Sequence, residues 1–187
     1  MPPVKRSKRP LSGAILVGKV SFRMSDGETA RWPTKFTAPP SRDSHEYFRI
    51  DDADANKRMP PMVQEKRKKV LSNWKVAIGT HIAKRLREIQ EPSAPNRNLK
   101  YTLESFPAGY ALFAQKRIKD PDREDYYLCG STIGSVFRSP EEFFPHGVWL
   151  RLKPDDPSLL CDCTYCTKHR QNEDSSTKAL DVVAPLF

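Results

Sequence analysis

The stretch CDCTYC, residues 161–166, places three of the four cysteines of this chain within six positions. A deprotonated thiol is a strong zinc ligand, and a structural zinc site takes four nitrogen or sulfur donors in a tetrahedron. A CxCxxC segment can wrap three sulfurs around one ion because tight turns bring them to the same side. The spacing therefore predicts that Cys161, Cys163 and Cys166 hold a zinc ion together with one further ligand.

Three residues outside this stretch are candidates for the fourth ligand. His146 ranks first, because it follows EFFP one loop upstream and would let the metal join that segment to the cysteines. His169 ranks second, since it would extend the run to CxCxxCxxH, and Cys129 ranks third. No HExxH or HxE pattern, typical of catalytic zinc, is present. The sequence therefore predicts a structural zinc clip of His146, Cys161, Cys163 and Cys166.

The segment SPEEFFPHGVWL, residues 139–150, has the pattern of a capped helix. Ser139 is placed to be the N-cap, Pro140 occupies the first helical position, and Glu142 stands where a capping box needs it. The large apolar side chains in this helix are expected to anchor the core. They are Phe143, Phe144 and Trp149.

A second, longer helix is predicted over residues 62–90, with Pro92 as its stop. Apolar residues recur there at three- and four-residue intervals, while lysine and arginine occupy the opposite face. The residues of the apolar face are Val70, Leu71, Trp74, Ala77, Ile78, His81, Ile82, Leu86 and Ile89. We expect this amphipathic helix to lie on a sheet.

The rest of the pattern predicts short strands. A strand-rich segment over 13–27 ends in a Ser-Asp-Gly turn, and an extended piece is expected at Tyr47–Ile50. Further strands are expected within 99–118, 125–131 and 135–139, with KDPDRE and TIG as connections. The predicted fold is α+β: a small twisted antiparallel sheet with one long amphipathic helix, a shorter capped helix and the zinc clip.

Four regions follow from this reading of the chain. They are a disordered basic arm over 1–12, a strand and loop segment with the long helix over 13–98, a segment with the zinc clip over 99–167, and a polar tail over 168–187.

Charge and composition restrict the class of partner. The chain has 32 Lys and Arg against 23 Asp and Glu, a net charge of +9, which favours an anionic partner and nucleic acid first. The basic runs KRSKRP and EKRKK are typical of nuclear targeting. No apolar run reaches the roughly 18 residues of a membrane span. Neither a nucleophile elbow nor a P-loop is present, so we expect a non-enzymatic protein without a small-molecule substrate.

Four motifs together carry a family resemblance. FPAGYALFAQKR, DYYLCG, FRSPEEFFPHGVWL and CDCTYC resemble the N-terminal domain of the fungal cryptic-loci-regulator transcription-silencing proteins, over approximately residues 18–167. The resemblance implies a role in heterochromatic transcriptional silencing. It also implies that the partners are protein subunits of a histone-deacetylase and nucleosome-remodelling repressor complex.

A shorter resemblance runs through the same residues. GYALFAQKR, EDYYL and GSVFRSPEE are similar to the pattern of the methyl-CpG-binding domain, which implies that the sheet of segment 99–167 has the fold of that domain and that the chain binds double-stranded DNA. In that family arginines read guanine O6 and N7, and here Arg117 and Arg138 fall on those positions. Glu124 and Tyr126 fall near the positions that face the methyl groups. The full set of expected DNA-binding residues is Arg117, Arg138, Ser139, Tyr126, Glu124 and Lys116.

Two functions therefore stay open at this point. The first is a chromatin module that binds duplex DNA, whether or not that DNA is modified. The second is a protein-interaction scaffold without direct DNA recognition, which the acidic DPDRED run over 120–125 and the aromatic EFFPHGVW segment favour.

Overall fold

The computed structural model describes residues 16–27, 45–93, 98–117, 120–133 and 136–181. Within these ranges the chain forms strands and helices in a mixed α+β order. The strands are β1 (Leu16–Val20), β2 (His45–Arg49), β3 (Leu99–Leu103), β4 (Ala111–Arg117), β5 (Asp120–Cys129) and β6 (Val136–Phe137). The helices are α1 (Ala53–Lys57), α2 (Pro61–Gln90), α3 (Pro140–Leu152) and α4 (Thr164–Asp181).

The antiparallel sheet has four strands in the order β2-β4-β5-β6. Strand β5 begins at Asp120, so most of the KDPDRE run, which was predicted to be a connection, is strand. The pairing of β4 with β5 explains this difference, because Lys116 lies opposite Glu124. Backbone hydrogen bonds between the two strands hold this run as a strand, and such long-range pairing is not visible in the local sequence.

A second, two-stranded sheet pairs β1 with β3 in parallel, where the sequence predicted antiparallel pairing alone. Helix α2 lies in the connection between these strands, and a long crossover of this kind permits parallel pairing. The helix reaches β3 closely at Gly79, where an added Cβ would lie 2.8 Å from the backbone nitrogen of Leu103. Next to it, the Thr80 hydroxyl donates to the Tyr101 carbonyl and accepts from the Tyr101 N–H.

Helix α2 matches its predicted bounds within one residue and buries much of the predicted face. Trp74, Ile78 and Ile82 are buried and join Leu103 and Phe143 in the main core cluster. Ile89, near the end of the helix, is 49% exposed. The apolar periodicity therefore predicted both the element and the side of it that meets the sheet.

Helix α3 begins as the capping pattern predicted, with one difference. The Ser139 side chain accepts a hydrogen bond from the Glu142 N–H at 3.4 Å, as an N-cap should. The Glu142 carboxylate accepts from the Arg138 N–H at 2.8 Å, one residue before the N-cap. Phe143 is fully buried, and Phe144 and Trp149 are partly buried against the core.

The two ends of the chain differ in how far they are described. The predicted basic arm over 1–12 lies outside the described residues. The predicted polar tail is helical as far as the description reaches, because α4 extends to Asp181. Among the described residues, no helix combines the length and the apolar character that crossing a bilayer requires.

Candidate metal centre

One imidazole and three thiols meet at the junction of α3 and α4. His146 is a fully buried residue of α3, Cys161 and Cys163 lie in the segment before α4, and Cys166 is in its first turn. The His146 Nδ1 atom lies 3.3 Å from the Cys161 sulfur, 3.7 Å from the Cys163 sulfur and 3.5 Å from the Cys166 sulfur. All four donor atoms lie within 4.8 Å of one another.

These distances fit four donors around one metal ion. With metal–sulfur bonds of about 2.3 Å and a metal–nitrogen bond of about 2.0 Å, a zinc tetrahedron has nitrogen-to-sulfur edges of about 3.6 Å. The observed edges of 3.3–3.7 Å bracket that value. The cluster can therefore hold a metal ion without moving its donors far.

The segment that carries the cysteines is fixed by side chains of both helices. The Trp149 indole N–H and the Lys153 ammonium both donate to the Leu159 carbonyl, at 2.9 Å and 3.0 Å. From α4, the Arg170 guanidinium donates to the Cys161 carbonyl at 2.8 Å. These contacts orient the segment that carries Cys161 and Cys163.

Helix α4 adds a favourable environment for a thiolate. The Cys166 N–H points at the Cys163 sulfur, at 3.4 Å, in the first turn of the helix. Free N–H groups and the helix dipole stabilise negative charge at a helix N-terminus and lower the pKa of a cysteine there.

The opposite edge of the His146 ring faces a polar network. Its Nε2 atom lies 2.8 Å from the Tyr110 hydroxyl and 3.3 Å from the Asp26 carboxylate. The Tyr110 hydroxyl donates to the same carboxylate at 2.6 Å. The Ser131 hydroxyl donates to the second carboxylate oxygen at 3.2 Å. The histidine is thus held on both sides, by sulfurs at Nδ1 and by polar oxygens at Nε2.

The electrostatics of the cluster favour a thiolate at Cys163 beside a protonated His146, which must lose its Nδ1 proton to coordinate a metal ion. Burial alone lowers the pKa of His146. Its hydrogen bonds to Asp26, Cys163 and Cys166 outweigh burial and raise this pKa to about 11. Hydrogen bonds from the Cys161 and Cys166 thiols lower the pKa of Cys163, while the contacts of Cys161 with Cys163 and Cys166 raise the pKa of Cys161. A negative charge is therefore stabilised among the sulfurs, where a cation would bind.

Neither alternative fourth ligand belongs to the cluster. His169 is on the exposed side of α4, where its Nδ1 atom lies 3.3 Å from the Glu173 carboxylate. Cys129 is a buried residue of β5 that packs with Ala111, Phe113 and Val136, and burial raises its pKa to about 12.

Two of the expected DNA-binding residues, Glu124 and Tyr126, take part in an internal network of hydrogen bonds and an ion pair. The Glu124 carboxylate accepts from the Arg67 guanidinium at 2.8 Å and from the Tyr126 hydroxyl at 2.7 Å. The side chains of Arg67 and Glu124 are only 3% and 8% exposed. Burial raises the pKa of Glu124, but its hydrogen bonds to Tyr126 and Arg67 outweigh burial and lower this pKa overall.

The other expected DNA-binding residues are spread over two elements. Lys116 is half-buried on β4, Arg138 is exposed just before α3, and Ser139 is used as the cap of that helix. The Arg117 side chain lies outside the described part of the structure. The described residues therefore leave Arg138 as the exposed cation of this set.

Sequence reasoning missed three residues of these networks. Arg67 was treated as part of the basic run EKRKK, although it lies seven residues before Trp74 and so on the same helical face. Asp26 was treated only as a turn residue, and Tyr110 only as a position in a motif. The heptad spacing could have identified Arg67 as a buried residue, whereas no local signal identifies the other two.

Two comparisons with known proteins found a similarity. Residues 101–166 match the family model described as transcription-silencing protein, cryptic loci regulator Clr2. A solved structure titled "Structure of Clr2 bound to the Clr1 C-terminus" is similar to this chain at 22% identity and a TM-score of 0.40. The similarity covers 83% of this chain and 32% of that one, so the chain spans about a third of its length. No curated protein matches. The match to this family model spans about a third of the chain and includes all four candidate metal ligands.

Proposed function

We propose that this chain is a non-enzymatic nuclear module of heterochromatic transcriptional silencing that acts by binding other silencing proteins. A structural zinc ion at His146, Cys161, Cys163 and Cys166 keeps it folded. The observation that carries this proposal is that the four donors converge within the segment that matches the silencing family.

The zinc part of the proposal is supported by the closure of the site. Four protein donors fill a tetrahedron, which leaves no coordination position for a substrate or an activated water. His146, Cys161 and Cys163 are also buried, as expected of a site that stabilises a fold. Three thiols with one imidazole form a common structural zinc set.

Elemental analysis of the purified chain tests this part. We expect one zinc per chain in the wild type and none in Cys163→Ser. Cys129→Ser is the matched control, because it removes a buried thiol outside the cluster and should keep the metal. A wild-type chain that is folded, equally stable with and without chelator, and free of metal would refute the zinc proposal.

Tethering tests the silencing part independently of any DNA recognition by the chain. The chain is fused to an unrelated DNA-binding domain whose sites lie upstream of a reporter in a fungal host. We expect the reporter transcript to fall when the wild-type chain or Cys129→Ser is tethered, and to recover with Cys163→Ser. If the tethered wild type leaves the transcript unchanged, the proposed silencing role is wrong.

The mode of action is tested by capturing bound proteins with a tagged chain in the same host. An adaptor needs no base-reading arginine, so capture of silencing subunits should survive Arg138→Ala. Loss of those proteins after nuclease treatment or in Arg138→Ala would instead indicate that DNA joins them to the chain.

Direct binding of double-stranded DNA is the second candidate, favoured by the net charge of +9 and the exposed Arg138. Three exposed lysines on the first turns of α2 add further positive charge at the surface: Lys66, Lys68 and Lys69. The Glu124 carboxylate is already bonded to Arg67 and Tyr126 within the fold. These contacts weigh against recognition of methylcytosine by Glu124 and Tyr126.

Fluorescence anisotropy with methylated and unmethylated duplexes of one sequence, at two salt concentrations, tests this candidate. Contact with phosphates predicts that log affinity falls with log salt by about 0.9 per phosphate neutralised. Arg138→Ala should reduce that slope by about 1 if this residue contacts a phosphate. The absence of binding at low salt would remove DNA from the list of partners.

A further inference from the structure

We propose that Asp26 and Tyr110 form the outer shell of the metal centre and couple metal binding to the docking of the N-terminal segment 16–27. This inference rests on the proposed metal site. It adds two residues that lie far from the four ligands in sequence. Asp26 is outside the family-matched segment, and its carboxylate reaches the ligand His146 across 120 residues.

The hydrogen-bond geometry fixes which imidazole nitrogen is free to bind the ion. Tyr110 donates its only proton to Asp26, where the oxygens are 2.6 Å apart. The hydroxyl oxygen, 2.8 Å from His146 Nε2, is then the acceptor of a hydrogen bond that the N–H at this nitrogen donates. A neutral imidazole with its proton on Nε2 presents a lone pair at Nδ1, the atom that faces the three sulfurs. The relay from His146 through Tyr110 to Asp26 therefore selects the tautomer that can coordinate.

Asp26 is held in place by the sheet rather than by the metal site alone. The Ser131 hydroxyl donates to its carboxylate, and the Thr132 N–H donates to its carbonyl at 3.2 Å. Gly27 forms an isolated β-bridge with Ser131, and the Ser25 hydroxyl donates to the Ala108 carbonyl at 2.5 Å. The carboxylate is thus in a fixed position from which it orients Tyr110.

Gly27 shows how closely this segment approaches the rest of the fold. A Cβ at this position would overlap the Ala108 carbonyl oxygen and press on the Tyr110 ring. The chain therefore requires glycine next to Asp26 for the carboxylate to reach the relay.

The contacts of Asp26 and Tyr110 with His146 should affect how tightly the metal ion binds. A carboxylate that accepts the outer N–H of a ligating histidine, directly or through a relay, orients the ring and makes it a better ligand. Loss of such a partner typically costs about 10–100-fold in metal affinity. Coupling is reciprocal, so a bound ion that fixes His146 also favours the docked position of segment 16–27.

The test is the zinc affinity of the full chain, measured in competition with a chromophoric chelator. We expect Asp26→Ala and Tyr110→Phe each to bind zinc about 10–100-fold more weakly than the wild type. Tyr126→Phe is the matched control, because it removes a hydroxyl that donates to Glu124, outside the metal cluster, and its zinc affinity should be unchanged. Wild-type affinity in both variants would overturn the proposal.

Two further readouts separate an outer-shell role from a general loss of stability. Cobalt substituted for zinc should give the same visible spectrum in Tyr110→Phe as in the wild type, since the four ligands are unchanged. Hydrogen exchange of residues 16–27 should rise when the ion is removed from the wild type, and should lose this metal dependence in Asp26→Ala. A metal-independent exchange rate in the wild type would refute the coupling.

The outcomes also distinguish this proposal from the one it rests on. A wild-type chain that binds no zinc in the titration would refute the metal site itself. A wild-type chain that binds zinc tightly, with variants that bind equally tightly, would refute only the outer shell.

Discussion

The buried pair of Arg67 and Glu124 gives the sharpest test of how this fold is held together. The pair joins α2 to β5 across 57 positions in the sequence, and both side chains are almost fully buried. We consider three variants: Arg67→Met, Glu124→Leu and the double variant. Each replaces a charged group with an apolar one of similar reach.

The size of each effect follows from the contacts that remain. Removing one member of a buried pair costs about 3–5 kcal/mol, because the other charge stays buried without its partner. For Arg67→Met we expect about 3 kcal/mol, since Tyr126 still donates to the carboxylate and Lys66 lies 3.6 Å away.

Glu124→Leu should cost more than Arg67→Met, about 4 kcal/mol, because the arginine cation then stays in the interior. Its Nε atom has no hydrogen-bond partner, and its remaining described contact is the Phe48 ring at 5.1 Å. The double variant removes both charges, so it should be no less stable than Glu124→Leu. The coupling energy is then about 3 kcal/mol.

Urea unfolding of the zinc-saturated chain, followed by circular dichroism, measures these free energies, provided that the slope with denaturant is the same in all variants. The exposed pair of Lys68 and Glu65 is the matched control, for which we expect at most about 0.5 kcal/mol of coupling. A coupling between Arg67 and Glu124 within about 0.5 kcal/mol of zero would show that the two charges do not stabilise each other, and the reasoning would fail.

Three further predictions follow from the same structure. The pKa of Glu124 is lowered from 4.5, so its contribution to the stability of the fold is present at neutral pH. This contribution is lost as the pH falls through the pKa of Glu124 in the folded chain. Acidification should therefore destabilise the wild type more than Glu124→Gln. Cys129 should resist alkylation in the native chain, since it is fully buried and its pKa is raised to about 12. After chelation of the metal, mass spectrometry should detect the label on Cys166. A label on Cys129 in the native chain would contradict this prediction. Gly79→Ala should lower the free energy of unfolding by about 1–3 kcal/mol, because the new Cβ would press on the β3 backbone. This cost should exceed the gain in helix propensity, which is about 1 kcal/mol. A variant that is more stable than the wild type in the same urea assay would contradict the prediction.

The features that could be predicted from the sequence are those encoded over short distances. The CxCxxC spacing identified the three thiols, and the apolar period of α2 identified its buried face, because both patterns repeat within a few turns of chain. The Ser139 cap was likewise a local pattern, and the structure confirms it.

The features that could not be predicted depend on long-range contacts. The parallel pairing of β1 with β3 is set by the crossover through α2, which no local pattern encodes. The buried contact of Glu124 with Arg67 could not be predicted from the motif of Glu124, because Arg67 lies on another element. In the same way, Asp26 has no signal of its own, since its partners are Tyr110 and His146 far along the chain.

The way α2 lies on β3 has a consequence for how this protein can be divided. The segment recognisable by homology, residues 101–166, begins inside β3 and so lacks the helix that covers it. Without Trp74, Ile78 and Ile82, the side chains of Leu103, Phe143 and Leu150 would face water. Expressed alone, that segment should be insoluble or molten even with zinc present, because the side chains that cover its apolar residues lie outside it.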